Sequence, residues 1–164
     1  MQALCDQYRR NSSGWQHDSL ARVHSRIVVG PSTKTYVEPK PSYKVTHMVN
    51  CAEDRFGNIL FKAKWPERYA CIGAIDSEKE DITKWYPEFE EVMNKFMADP
   101  TCEVIYVHCE CGINRSAFLV LIYLCIKFGY APETIGKSMI IQRPCVFTNK
   151  AFMAQAIEYI KKHQ

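Results

Sequence analysis

The chain has no apolar run long enough to cross a bilayer. Its longest, residues 117 to 126, is about half of the ~20 residues a membrane helix needs. Residues 1 to 24 lack the apolar core of a secretion signal, so a soluble, intracellular, cytoplasmic protein with no membrane partner is the expectation. Net charge is also scarce: 21 Lys and Arg against 18 Asp and Glu leave +3, too little to imply nucleic acid without a local cluster. Repeats and low-complexity segments are absent. The 164 residues, 47% apolar and 12% aromatic, suffice for one domain with a real core.

Cysteine, by contrast, is plentiful. Eight occur, at 5, 51, 71, 102, 109, 111, 125 and 145. Several fall inside apolar periodic segments, so free thiols are expected rather than a disulfide framework, with Cys51, Cys71 and Cys125 acting as small core hydrophobes.

Residues 1 to 24 are polar and irregular, with scattered anchors at Leu4, Tyr8 and Trp15, and read as an arm or marginal helix preceding a domain over 25 to 164. β-rich runs follow at 26 to 30, 43 to 52, 68 to 73 and 103 to 109, separated by turn-rich "VGPS", "DRFGN" and "KWPE". An i, i+3, i+4, i+7 stripe from Ile82 to Met97 marks a helix, with Asp81 as N-cap and Pro87 near the first turn. "RSAFLVLIYLCIKF" (115 to 128) is apolar on every side and stopped by Gly129, which marks a central buried helix. Helices over 132 to about 142 and 149 to about 162 complete an α/β domain, a sheet of four or five strands flanked by helices.

The chemistry concentrates in "HCECGINRS", residues 108 to 116. A strand, a tight loop through Glu110, Cys111, Gly112, Ile113 and Asn114, then a helix, would gather backbone N–H groups around one point at a helix N-terminus. Such a point attracts an anion. Cys109 there would be favoured as thiolate, a nucleophile. Arg115 can return across the loop and present a planar fork to two phosphate oxygens. Ser116 can offer its hydroxyl to the sulfur, and His108 reads as a brace for the loop rather than a proton carrier. Gly112 reads as demanded by backbone geometry and by close approach to a phosphate.

"HCECGINRS" resembles the HC-x5-R-S/T signature of cysteine-dependent dual-specificity protein phosphatases. "RIVVGPS", "VTHMVNCAED" and "QRPCVFTNKAF" resemble, in order, segments of the same family, so the likeness spans about residues 26 to 160. "GINRS" with "DSEKEDITKWY" looks most like the family members of large DNA viruses, which implies a host cytoplasm or virion. The resemblance implies a protein-tyrosine-phosphatase-like fold with a mixed or parallel sheet, a shallow pocket, phosphorylated proteins as partners and no metal or cofactor. It also implies a general acid on an upstream loop, where Asp76 is the assignment and Asp81 the rival. In that reading Cys109 attacks phosphorus, Asp76 protonates the leaving oxygen, and a phosphocysteine is then hydrolysed. Asn149 reads as the cap of the last helix, in a segment the resemblance places beside the phosphate loop. By analogy with the viral enzymes, residues 1 to 24 would form a helix exchanged in a homodimer; an unattached arm is the alternative.

Three other readings fit parts of the pattern. An RNA 5′-triphosphatase shares the Asn114–Arg115 pair, but Glu110 and the lack of lysine in the loop disfavour a triphosphate. A non-catalytic phosphoprotein-binding module would typically have lost the cysteine or the arginine. A zinc site at His108, Cys109 and Cys111 lacks a second spaced ligand pair. Cys111 itself reads as packing under the loop, with a reversible disulfide to Cys109 as the alternative.

Overall fold

The structure is a computed structural model and describes residues 1–11, 19–33 and 43–164. The strands are β1 (Ala21–His24), β2 (Ile27–Gly30), β3 (Val45–Asn50), β4 (Tyr69–Cys71) and β5 (Val104–His108). They form one sheet in the order β1-β2-β5-β3-β4. β1 runs antiparallel to β2, and every other pairing is parallel. The expected α/β domain with a mixed sheet is what the chain forms.

Strand residues alternate between two cores, as a period of two requires. Ile27, Val29, Val49, Ile105 and Val107 enter the larger cluster, while Val28, Val45, Met48, Val104 and Tyr106 enter a smaller one on the opposite face. The helices are α1 (Gln2–Asn11), α2 (Ile59–Lys64), α3 (Tyr86–Ala98), α4 (Arg115–Phe128), α5 (Pro132–Gln142) and α6 (Lys150–His163). Helix α4 is central: Ala117 through Cys125 are fully buried, and α3, α5 and α6 pack around it. Each fully buried Leu, Ile or Phe in it contributes about 1.5–3 kcal/mol. Gly129, at φ 74°, ends α4 in the left-handed conformation expected of it.

Three local expectations need correction. Residues 21 to 24 belong to the sheet, not to an arm. Their turn at Ser25 and Arg26 carries no Gly or Asn, so the usual hairpin signal is missing. The outer edge of β1 is closed by Gln142, whose amide accepts from Arg22 N–H at 2.8 Å and donates to Arg22 C=O at 2.9 Å. Second, no element is expected between "DRFGN" and "KWPE", yet α2 forms there; Asn58 caps it, and Phe61 is its one fully buried residue. Third, the stripe beginning at Ile82 starts as a 3₁₀ turn, Ile82–Trp85, before α3 begins at Tyr86. Pro87 explains this: lacking an N–H, it fits only in the first turn of an α-helix.

The N-terminal segment is helical over α1, which lies along α5 of the same chain and buries Cys5 completely. Trp15 and the side chain of Tyr8 lie outside the described residues. None of the eight cysteines is in a disulfide; Cys51 and Cys125 are fully buried, whereas Cys71 is only half-buried and donates to Ala52 C=O at 3.3 Å.

Candidate active site

Between β5 and α4 the chain turns through residues 109 to 114, and every carbonyl of the turn is held from outside. His108 Nδ1 meets Cys109 C=O at 2.8 Å. Ser32 N–H meets Glu110 C=O at 2.9 Å. The guanidinium of Arg143 donates to both Cys111 C=O and Gly112 C=O, the latter at 2.9 Å. Phe147 N–H meets Ile113 C=O at 2.9 Å, and Phe118 N–H meets Asn114 C=O at 2.9 Å. A planar trans peptide sets the next N–H opposite each carbonyl. Six carbonyls turned outward therefore leave successive N–H groups facing inward, a cradle for an oxyanion.

The floor of this cradle is Cys109, 2% exposed, with its Sγ 3.4 Å from Ser116 Oγ. Gly112 adopts φ +66°, and a Cβ there would run into the Gly30–Pro31 backbone. The close neighbour that demands glycine is thus the end of β2. His108 is fully buried, and burial holds its imidazole down at about 4. Because a carbonyl only accepts, the neutral ring carries its proton on Nδ1. Its Nε2 has no partner among the described residues. This geometry makes it a brace.

Arg115 is 6% exposed. Its Nη1 donates to Glu53 Oε1 at 2.9 Å and to Ala74 C=O at 3.1 Å. Its Nε is enclosed and makes no hydrogen bond among the described residues. Nη2 has only a loose ion pair with the half-exposed Glu110, at 3.8 Å. Nε and Nη2 therefore form the side of the fork that makes no hydrogen bond among the described residues. Sequence reasoning missed Glu53, since a lone Glu after "NCA" carries no motif.

The loop that carries Asp76 is set by an extension of the sheet. Beyond β4, Ile72, Gly73 and Ala74 N–H bond to Asn50, Ala52 and Cys51 C=O at 2.8, 3.1 and 2.8 Å. The chain then releases Asp76 at the surface. One carboxyl oxygen accepts from Asn149 Nδ2 at 2.9 Å and the other from Asn114 Nδ2 at 3.0 Å. Asp76 is thus tied to the phosphate loop through Asn114. Asp81 is turned away: its Oδ1 accepts from Thr83 N–H at 2.9 Å and Thr83 Oγ at 2.6 Å, a capping role. Asn149 caps α6 as expected, accepting from Phe152 N–H at 3.0 Å. Between these contacts Phe147 is held at φ 67°, which costs a bulky residue on the order of 1–3 kcal/mol. Its ring is buried against Phe118, with centroids 4.9 Å apart.

Cys111 does not pack under the loop. With its carbonyl drawn in by Arg143, its thiol lies at the surface, where partial burial first and then Glu110 push it above the ordinary thiol range. His108, Cys109 and Cys111 do not converge. Among the described residues no group of three or more His, Cys, Asp or Glu is placed to hold a metal ion.

A buried thiol below an amide cradle, with Arg115 opening the next helix, makes this loop the candidate anion site on a sheet flanked by helices. The family described as "Dual specificity phosphatase, catalytic domain" matches residues 27–162, and the chain belongs to it. Dual specificity protein phosphatase 4 of Gallus gallus is 32% identical over 92 residues, covering 56% of this chain and 24% of that protein. The match thus spans about a quarter of that relative's length. Among solved structures, a mouse putative dual specificity phosphatase complexed with zinc tungstate superposes with a TM-score of 0.74 at 21% identity, covering 92% of each chain. A human tyrosine phosphatase-like serine/threonine/tyrosine-interacting protein gives 0.70 at 23% identity, covering 87% of this chain and 96% of that one. These last two bear on the fold alone.

Proposed function

We propose that the chain is a dual-specificity protein phosphatase acting on phosphotyrosine and on phosphoserine or phosphothreonine in proteins. The observation that carries this reading is the loop whose six carbonyls are all bound from outside, with Cys109 Sγ at its floor and Arg115 Nε enclosed and unpartnered. The transferring phosphoryl group carries charge on three equatorial oxygens, and inward N–H groups with Nε and Nη2 of Arg115 suit that charge. Cys109 thiolate attacks in line, the sulfur–phosphorus bond forms, and the phosphorus–oxygen bond breaks. Asp76 gives its proton to the leaving oxygen. Now ionised, Asp76 takes a proton from water, which hydrolyses the phosphocysteine and releases the thiolate, assisted by the Ser116 hydroxyl.

The test compares initial rates on a phosphotyrosine peptide, a phosphothreonine peptide and 5′-triphosphate RNA, with Cys109→Ser as the blank. Turnover of both peptides, with a bell-shaped pH profile for kcat/KM, is expected. A large preference for RNA would replace this reading with the triphosphatase one, and peptide binding without turnover would replace it with a non-catalytic module. We extend the proposal to kinship with phosphatases of large DNA viruses, a host-cytoplasm or virion setting, and dimerisation through residues 1 to 24. The first two are supported by "GINRS" and "DSEKEDITKWY". A single monomeric species in sedimentation would remove the last.

A further inference from the structure

The two amides that meet Asp76 cannot be turned around. Asn149 Oδ1 is committed to Phe152 N–H at 3.0 Å. Asn114 Oδ1 accepts from Thr148 N–H and Asn149 N–H, both at 2.9 Å. Backbone N–H groups need an acceptor, so each amide must keep its oxygen there and its NH₂ toward the carboxyl. One donor reaches each carboxyl oxygen, at 2.9 and 3.0 Å. Both asparagines are more than nine-tenths buried, while Asp76 is exposed.

We propose that Asn114 and Asn149 are positioning residues for the general acid, fixing the plane of the Asp76 carboxyl relative to the phosphate loop. This rests on Asp76 acting as that acid. A carboxyl oxygen has two lone-pair directions, and one on each oxygen is taken by an amide N–H. The proton destined for the leaving group must then occupy a remaining direction, so the proton-bearing edge is set rather than free to rotate. As the proton departs to the leaving oxygen, negative charge stays on Asp76, and two N–H donors are already in place for it. Asn114 belongs to the phosphate loop itself, so the acid is registered against the atoms that hold the phosphoryl group. No loop closure is needed to bring them together.

Asn149→Ser isolates this role. Serine keeps an oxygen to cap α6 but removes the donor to Asp76. With the full chain, kcat and KM are measured on phenyl phosphate, whose phenol needs a proton to leave, and on 2,4-dinitrophenyl phosphate, whose phenolate scarcely does. The expected result is an about tenfold fall in kcat on phenyl phosphate, several times larger than on the dinitrophenyl ester, with little change in KM. In an Asp76→Asn background the same substitution should add almost nothing, because its route of action is gone. Asn149→Thr, a second capping residue, should behave alike, and a thermal melt reports the cap separately. Equal losses on both esters, or full additivity with Asp76→Asn, would overturn the proposal while leaving Asp76 as the acid. Undiminished turnover of phenyl phosphate by Asp76→Asn would overturn both.

Discussion

The two loops of the site are built by opposite means. The proposed phosphate loop, 109 to 114, is held by its backbone: each carbonyl has a donor outside the loop, and Cys109 beneath it is almost wholly enclosed. The loop of the proposed acid leaves the sheet after Ala74 and exposes Ile75 and Asp76, and the Asp76 carboxyl is held by two side chains from elsewhere. A cradle that must fit three oxygens at once needs many fixed dipoles. A proton donor needs only one well-set group with access to the leaving atom.

The difference should show first in Asp76→Asn. Turnover on protein-like substrates should fall by ~10²- to 10⁴-fold with a modest change in KM, since only the acid is lost and the cradle stays intact. Steady-state kinetics on a phosphothreonine peptide check this; a matching rise in KM would mean that the two loops are not separable.

Arg143→Met should do the reverse. It removes the donors to Gly112 C=O, in a fully buried contact, and to Cys111 and Ser19 C=O, which are partly buried. An unsatisfied buried carbonyl costs about 1–3 kcal/mol and a partly buried one less, so a loss of roughly 3 kcal/mol is expected by urea unfolding. Vanadate affinity should fall with it. Retained affinity would show that the carbonyls are held well enough without the guanidinium.

The smallest effect sharpens the backbone side of the comparison. His108 is held at about 4, below the 6.5 of a free imidazole, because burial disfavours its charged form. Below 6.5 the unfolded chain takes up a proton that the folded one refuses. Its contribution is therefore complete above pH 6.5 and is lost as pH falls toward 4, by at most about 3 kcal/mol. Urea midpoints at pH 7 and 4.5 should converge partly in His108→Gln. An unchanged slope would assign the acid sensitivity to other groups, His24 and His47 among them, which burial also holds low.

Much of this was legible in one dimension. The strand, loop and helix from 103 to 128 are contiguous, so their periodicity and the 109-to-115 spacing single out Cys109 and Arg115 as the proposed nucleophile and its arginine. Asp81 and Asn149 were readable as caps because a cap acts on its own helix. What stayed hidden depends on residues far apart in the chain. β1 carried no turn signal. Glu53 lies 62 positions from the arginine it holds. Arg143, which clamps the loop, lies 31 positions from Gly112. Cys111 was placed inside, whereas its neighbour's carbonyl and its own turn toward Arg143 and send the thiol out.

The order of residues alone singled out the atoms proposed to react and determined that a sheet with a buried helix would carry them, since periodicity and short spacing act locally. Only the folded chain decided how those atoms are aimed. Aiming depends on where carbonyls and amides from distant segments come to rest, and hydrogen bonds of 3 Å reach have no signature in sequence separation.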